Sequence, residues 1–317
     1  MFASASHSME SPSVICVVGP TASGKSDLAQ TLAQTLDGEV VSADSMQIYR
    51  GMDIGTGKLL SEERKVPHFG LDLCDPGSPY SAALYQPYAR ACFADIAQRN
   101  KKPILCGGTG LYIRSAIDDF DFPKGEQQDN PTREYWTAFA ETYGAQALWE
   151  ELQVRDQKSA TLIHPNNVRR VVRAFEMMEE GTTYAEQHAH LQVMPQAVPA
   201  VLFGLEVSPE VLARRIDKRV DTMVESGLVD EVKSLLQQGF RKGITAPQAI
   251  GYKEIVAVLD GERELDDAIE QIKTATRRYA KRQRTWFRKD HRIMWLPADS
   301  GNTENLAAQA LTKLARP

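Results

Sequence analysis

Apolar residues along this chain fall into short runs that stop at glycine or polar turns, with longer helical patterns between them. Val14-Ile15-Cys16-Val17-Val18 is continuous and rich in β-branched residues, the pattern of a strand buried on both faces. Glu39-Val40-Val41-Ser42-Ala43 ends at Asp44-Ser45, and Pro103-Ile104-Leu105-Cys106 ends at Gly107-Gly108-Thr109-Gly110. Val201 to Val207 leads into Ser208-Pro209-Glu210, and Arg292 to Pro297 closes the series. Helical spacing fills the intervals, as in Ser26 to Ala33 and Ala82 to Arg99. Strands alternating with helices predict an α/β fold with a parallel sheet covered on both faces. Ligands of such sheets gather at the carboxyl ends of the strands.

The pattern changes near Asp121. The loop from Phe122 to Pro131 is polar and bounded by prolines, and from Thr132 to about Leu191 every periodic segment reads as helix. The expected helices are Arg133 to Tyr143, Ala145 to Val154, Val168 to Glu180 and Thr183 to His190. Strand signals resume after Pro195 and Pro199. The expected organisation is a tail over 1–12, the first part of an α/β core over 13–120, an all-helical insertion over 121–199, and the rest of the core over 200–317. The Ser/Ala-rich tail lacks the basic start and apolar centre of a secretory signal and reads as disordered.

Composition narrows the class of protein. No apolar run is long enough to span a bilayer. Cys16, Cys74, Cys92 and Cys106 are scattered without a CxxC pair, as expected of buried thiols in a reducing cytosol. Net charge is −5, mildly against a nucleic-acid partner, yet the distribution points the other way. Lys273, Arg277, Arg278, Lys281, Arg282, Arg284, Arg288, Lys289 and Arg292 crowd one segment with Asp290 as its single acid. Arg277, Lys281, Arg284 and Arg288 form one helical stripe, beside an apolar stripe of Ile272, Ala275, Tyr279, Trp286 and Phe287 expected to face the core. The basic side is a phosphate-backbone surface, or else arginine stems covering apolar surface.

The chemistry-bearing segments sit where the strands end. Gly19-Pro20-Thr21-Ala22-Ser23-Gly24-Lys25-Ser26 fits G-x-x-x-x-G-K-[ST] between a strand and a helix, where backbone N–H groups and a helix N-terminus converge on a polyphosphate. Lys25 adds a point charge, and the Ser26 hydroxyl is the candidate ligand of Mg²⁺. Asp44 serves as a metal ligand, as a general base, or as a turn cap; spacing alone leaves the three open. Thr109, in the Gly-rich turn, offers a hydroxyl to a phosphate oxygen. Arg215 and Arg219 lie one turn apart on the helix beginning near Ser208 and can reach one ligand, or else form a solvated basic face. Arg169, Arg170 and Arg173 crowd the start of an insertion helix, an unfavourable place for cations that an external anion such as RNA would relieve, unless they are only surface decoration. His188 and His190 do not share a helix face, so a metal site there is not expected.

These features admit a small-molecule kinase, a nucleotide switch, or a transferase that holds its donor's diphosphate and acts on RNA. A switch should carry N-K-x-D after a strand, and the sequence has none. An ATP-dependent kinase accounts for the loop, Asp44 and the arginine helix but not for the helical insertion with its arginines or the basic C-terminal helix. The chain resembles the tRNA dimethylallyltransferases, also called tRNA isopentenyltransferases, through its glycine loop and Ala43-Asp44-Ser45-Met46-Gln47-Ile48-Tyr49. Gly51 to Thr56, Pro67-His68, Tyr80-Ser81, Gly107 to Tyr112, His164-Pro165-Asn166, Gly251 to Glu254 and Thr276 to Trp286 complete the resemblance. The sequence departs from it at Phe69, where a second His is frequent, and at Asn167, where Asp is common. The end soon after Trp295, without a zinc-finger extension, is similar to the bacterial type.

The resemblance implies a P-loop NTPase-like core. It implies transfer of dimethylallyl from dimethylallyl diphosphate to N6 of the adenosine 3′ to the anticodon, adenosine-37, in tRNAs that read codons beginning with U. It also implies Mg²⁺ as cofactor, a cytoplasmic monomer, and the anticodon stem-loop as partner. Asp44 is then the general base, with Lys25, Arg219 and Thr109 at the diphosphate. RNA contacts are implied for Asp44, Ser45, Met46 and Gln47; for Arg169, Arg170, Val171, Val172 and Arg173; and for Gln248, Ala249, Ile250, Gly251, Tyr252 and Lys253. Arg278 and Arg282 add contacts to the backbone.

Overall fold

The computed structural model describes residues 14–122 and 130–315. The expected tail and most of the Phe122–Pro131 loop lie outside the described residues. Two compact units result: one from the chain up to Asp118 together with Gln196 onward, the other from Asp119–Pro195. The helical segment is thus slightly shorter at its carboxyl end than the expected 121–199.

In the first unit, β1 (Val14–Val18), β2 (Gly38–Ser42), β3 (His68–Phe69), β4 (Lys102–Gly107), β5 (Ala200–Glu206) and β6 (Ile293–Pro297) form one sheet. Its order is β3-β2-β4-β1-β5-β6, and every pairing is parallel. All five residues of β1 and of β2 are buried, as two-sided coverage requires. The helices are α1 (Lys25–Thr35), α2 (Ala82–Gln98), α3 (Gly110–Ile117), and, after the second unit, α8 (Pro209–Glu225), α9 (Leu228–Gln237), α10 (Tyr252–Leu259), α11 (Leu265–Phe287) and α12 (Thr303–Leu314). Because β2, β4 and β1 are neighbours, their carboxyl ends bring Asp44, the Gly107–Gly110 turn and the glycine loop side by side. The two-residue strand β3 carries no run long enough to be read from the sequence.

The second unit comprises α4 (Pro131–Arg155), α5 (Gln157–Leu162), α6 (Val168–Glu179) and α7 (Tyr184–Val193). Gly144, at φ 88° and ψ 164°, breaks α4 into the two helices expected on either side of it. Trp136 stacks on Phe175 at 3.8 Å between ring centroids, and Leu148, Leu152, Ile163, Val171 and Val172 fill the core around them. The Trp149 indole donates to the carbonyls of Ala160 (3.0 Å) and Ile163 (2.8 Å), closing the short α5 onto α4.

Each unit brings its own chain ends together. Asp118 and Gln196 form an antiparallel bridge in the first, reinforced by the Ala197 N–H donating to Ile117 at 2.8 Å. In the second, the Asp119 N–H donates to the Pro195 carbonyl at 3.0 Å.

Candidate active site

Thr21, Lys25, Ser26, Asp44, Gln47, Thr56, Gly57, His68, Cys106 and Arg219 line one polar cavity at the carboxyl ends of the strands. The glycine loop supplies its floor. Lys25 opens α1 and donates to the Pro20 carbonyl at 3.1 Å, folded back on its own loop. Burial pushes its pKa below the ordinary lysine value; Cys106 and Asp44 oppose the shift, and Arg219 adds to it. Arg219, from α8, is lowered as well, again chiefly by burial, with Asp44 opposing. The guanidinium donates to the Thr56 carbonyl at 3.0 Å, and a Cβ on Gly57 would collide with it. Two half-buried cations without an acid bonded to either among the described residues form a site for an anion.

The loop that receives Arg219 is itself braced. Glu231 of α9 accepts the N–H groups of Asp53 (3.1 Å), Ile54 (2.7 Å) and Gly55 (3.2 Å), and the Tyr252 hydroxyl at 2.6 Å. Lys58, nearly fully buried, is held by Asp53 and Asp72 at 2.5 and 2.6 Å. A second, more apolar cavity of about 500 Å³, with Leu59, Leu60 and Met223 in its wall, shares Gly57 and Arg219 with the first.

Asp44 Oδ1 accepts the Met46 N–H at 2.9 Å. The turn-cap reading thus holds for one oxygen, and the cap aims the half-exposed carboxylate. Thr109 accepts the Ser45 N–H at 3.1 Å and donates to Ser45 Oγ at 3.3 Å, tying the β4 turn to the β2 turn. Gln47 accepts from the Ser42 hydroxyl at 3.0 Å. His68 shares its Nδ1 with the Val66 carbonyl at 2.8 Å, and burial lowers its pKa. Burial drives the Cys106 thiol up to about 12, so it stays protonated in the cavity wall. All four cysteines are free thiols.

Gln283, on α11, is masked in the sequence by the basic run around it. The residue is 5% exposed. Oε1 accepts the Thr21 N–H at 2.9 Å and Nε2 donates to the Gly108 carbonyl at 2.9 Å. One side chain therefore clamps the glycine loop to the β4 turn. Tyr279, one helical turn earlier, interacts with Thr109 and Gln283, and burial raises its phenol to about 12. A glutamine four residues after a tyrosine on the inner side of an amphipathic helix was the available signal.

Several expectations need correction. Arg215 lines the second cavity with Arg219 but not the polar one, and it donates to the carbonyls of Ala298 (3.1 Å) and Asp299 (2.7 Å). Val171 and Val172 are core residues of the helical unit, so their side chains support α6 and cannot meet RNA. Tyr252 and Ala249 are buried, while Gln248 and Lys253 are exposed. The basic stripe also splits. Arg277 pairs with Asp217 at 3.3 Å, Arg288 with Glu206 at 2.9 Å, Lys273 with Asp221 at 2.8 Å, and Arg292 with Asp118 and Asp290 at 2.6 Å. Arg278, Lys281, Arg282 and Arg284 have no acidic partner among the described residues. Trp286, expected in the core, is 40% exposed. In the helical unit, Arg169 and Arg170 are exposed at the first turn of α6, capped by Asn167, whereas Arg173 is held by Glu176 and Glu180 at 2.7 and 3.1 Å.

Comparison with known proteins gives a consistent picture. The family model described as IPP transferase matches residues 47–290, and that described as Isopentenyl transferase matches 12–66. A tRNA dimethylallyltransferase of Bacillus subtilis is 45% identical over 283 residues, covering 89% of this chain and 90% of that protein. Among solved structures, the full-length tRNA isopentenylpyrophosphate transferase of Bacillus halodurans is similar with a TM-score of 0.70 and 40% identity, covering 95% and 96% of the two chains. A eukaryotic dimethylallyltransferase acting on tRNA has a TM-score of 0.77 at 31% identity, covering 94% of this chain and 77% of that one.

Proposed function

This chain belongs to the IPP transferase family of tRNA dimethylallyltransferases, and from that premise we propose how its site divides the work. The acceptor is N6 of the adenosine 3′ to the anticodon, in tRNAs reading codons that begin with U. The donor is dimethylallyl diphosphate. N6 forms a bond to C1 of the five-carbon unit, the C1–O bond breaks, diphosphate departs, and one N6 proton is lost. The protein acts as a cytoplasmic monomer on the anticodon stem-loop.

The observation that carries this reading is the half-buried pair Lys25 and Arg219 lining one cavity with Asp44. An adenine amine is a poor nucleophile because its lone pair is delocalised. The Asp44 oxygen not engaged by Met46 takes its proton as the C–N bond forms, help worth about 10²–10⁴-fold. Charge grows on the leaving diphosphate, and the loop N–H groups, Lys25 and Arg219 meet it, the two cations turning from the Pro20 and Thr56 carbonyls to which they now donate. The Thr109 hydroxyl turns from Ser45 to an oxygen at the breaking bond. Extruding the adenine from its stack costs a few kcal/mol.

Mg²⁺ fits this donor set as a shared ion. Ser26 and Asp44 line the same cavity, and no group of three His, Cys, Asp or Glu among the described residues could hold a metal alone. When bound, the ion would neutralise charge on the diphosphate, with Ser26 as its protein ligand and water and phosphate oxygens supplying the rest. The ATP-dependent kinase reading is not favoured, since the relatives are tRNA prenyltransferases. The test is incubation with labelled dimethylallyl diphosphate and unmodified tRNA, and separately with labelled ATP and small acceptors. Label in the RNA is the expected result; phosphoryl transfer from ATP with no prenyl transfer refutes the assignment.

A further inference from the structure

Glu231 lies half-buried in the first turn of α9, and all four of its hydrogen bonds run inward. Oε2 accepts the N–H groups of Asp53 and Ile54, and Oε1 accepts the Gly55 N–H and the Tyr252 hydroxyl. Two donors on each oxygen suit a group that only accepts. Burial, with Glu231 adding to it, pushes the Tyr252 phenol well above its ordinary pKa, so it remains a donor. The Tyr252 ring closes the same loop from another side, since a Cβ on Gly55 would collide with it.

The next two residues of this loop are the ones that meet Arg219. The Thr56 carbonyl accepts its guanidinium at 3.0 Å, and the bare backbone of Gly57 lies against it. The loop also contributes to both cavities: Thr56 to the polar one, Asp53 and Ile54 to the second, Gly57 to each. Arg219 lines both as well, so its side chain has two directions open to it. In the polar cavity it joins Lys25. In the second, Asp53 and Glu63 stand in the wall, and a guanidinium turned toward those carboxylates is neutralised and lost to an incoming anion.

We propose that Glu231 and Tyr252 are positioning residues for the donor diphosphate: by fixing the backbone of Asp53 to Gly55 they hold the Thr56–Gly57 seat that keeps Arg219 on the side of the polar cavity. The assignment rests on the reading of that cavity as the diphosphate site. Neither residue touches the donor. Tyr252, placed by resemblance among the RNA contacts, acts instead through Glu231 and the loop.

The experiment titrates the full chain with inorganic diphosphate by calorimetry, beside steady-state kinetics with dimethylallyl diphosphate varied. In Glu231→Gln the amide nitrogen cannot accept, so at least one loop N–H loses its partner. Its diphosphate Kd and donor KM should rise together, roughly ten- to one-hundred-fold, while tRNA affinity holds. Tyr252→Phe keeps the ring against Gly55 and removes one hydrogen bond, and should raise both by about fivefold. A lowered melting temperature accompanies a purely structural brace as well, so the deciding comparison is made in an Arg219→Ala background. There either change should alter diphosphate affinity by less than twofold, because the side chain being positioned is gone. The same factor in both backgrounds would overturn the proposal, as would Glu231→Gln with diphosphate affinity within twofold of the parent. Should Glu231→Gln fail to fold, Tyr252→Phe decides by the same comparison of backgrounds. Absence of prenyl transfer by the parent protein would remove the functional reading instead, and the diphosphate affinities would still judge Glu231.

Discussion

Replacing Gln283 with leucine removes both arms of the clamp between the glycine loop and the β4 turn while keeping nearly the same volume. The Gly108 carbonyl is buried and would be left without the 2.9 Å donor it now has, a loss of about 1–3 kcal/mol. The Thr21 N–H is half-exposed and can turn to water, so its 2.9 Å bond contributes nearer 1 kcal/mol. Together they amount to about 2–4 kcal/mol. Part appears as stability: about 2 kcal/mol in a unit of this size lowers the melting temperature by roughly 4–8 °C. The remainder appears in donor binding, because Thr21 belongs to the loop that cradles the diphosphate; about 1.4 kcal/mol raises the donor KM roughly tenfold. Gln283→Glu sharpens the test. Its carboxylate still accepts from Thr21 but meets the Gly108 carbonyl with another acceptor, and only the protonated acid restores the donor. Burial against that carbonyl raises the folded-state pKa of the introduced carboxyl above its unfolded value. The defect should then be least at low pH and grow as pH rises through the raised pKa. Steady-state kinetics with donor varied, alongside melting curves from pH 5 to 8, provide the measurement. A donor KM and melting temperature both unchanged in Gln283→Leu would show that the clamp carries no strain between these loops.

Other perturbations separate the remaining roles. Asp44→Asn should lower single-turnover prenyl transfer about 10²–10⁴-fold while tRNA affinity, read by filter binding, stays near the parent; equal loss in both would make Asp44 an RNA contact only. Lys25 has a pKa lowered by burial, and a bound diphosphate raises it again, so binding takes up protons between the two values. Diphosphate affinity should therefore fall as pH rises through that window, and calorimetry in buffers of different ionisation enthalpy should register the uptake; binding without proton uptake across the alkaline range would contradict the shift. Arg278→Ala with Arg282→Ala should flatten the salt dependence of tRNA binding by about one unit for each phosphate no longer neutralised. Arg277→Ala with Arg288→Ala, which breaks the ion pairs with Asp217 and Glu206, should leave it nearly unchanged, and equal slopes for the two pairs would make the division of α11 irrelevant to RNA.

The sheet was legible because each long strand is a continuous apolar run ending in a polar or glycine turn, and the glycine loop fixed which ends carry the site. Two-residue β3 was invisible, since periodicity needs more residues than it has. The fate of the basic run was not legible either. Whether an arginine is free or paired depends on acids far away in sequence, such as Asp217 for Arg277 or Glu206 for Arg288. Gln283 was hidden for the same reason: its partners, Thr21 and Gly108, are backbone groups that side-chain patterns do not register. Val171 and Val172 show the converse. Taken as part of a contiguous RNA-contacting stretch, they alternate with surface positions once the helix is built, because every third or fourth residue turns inward.

The paired ends of the helical segment have a practical consequence. Because the chain leaves and re-enters the α/β unit at adjoining residues, a short turn could replace everything between Asp118 and Gln196 without stretching the sheet. The helices could in turn be produced as a free-standing piece. An engineer could exchange this cassette for another of the same footprint while leaving the α/β unit as it is.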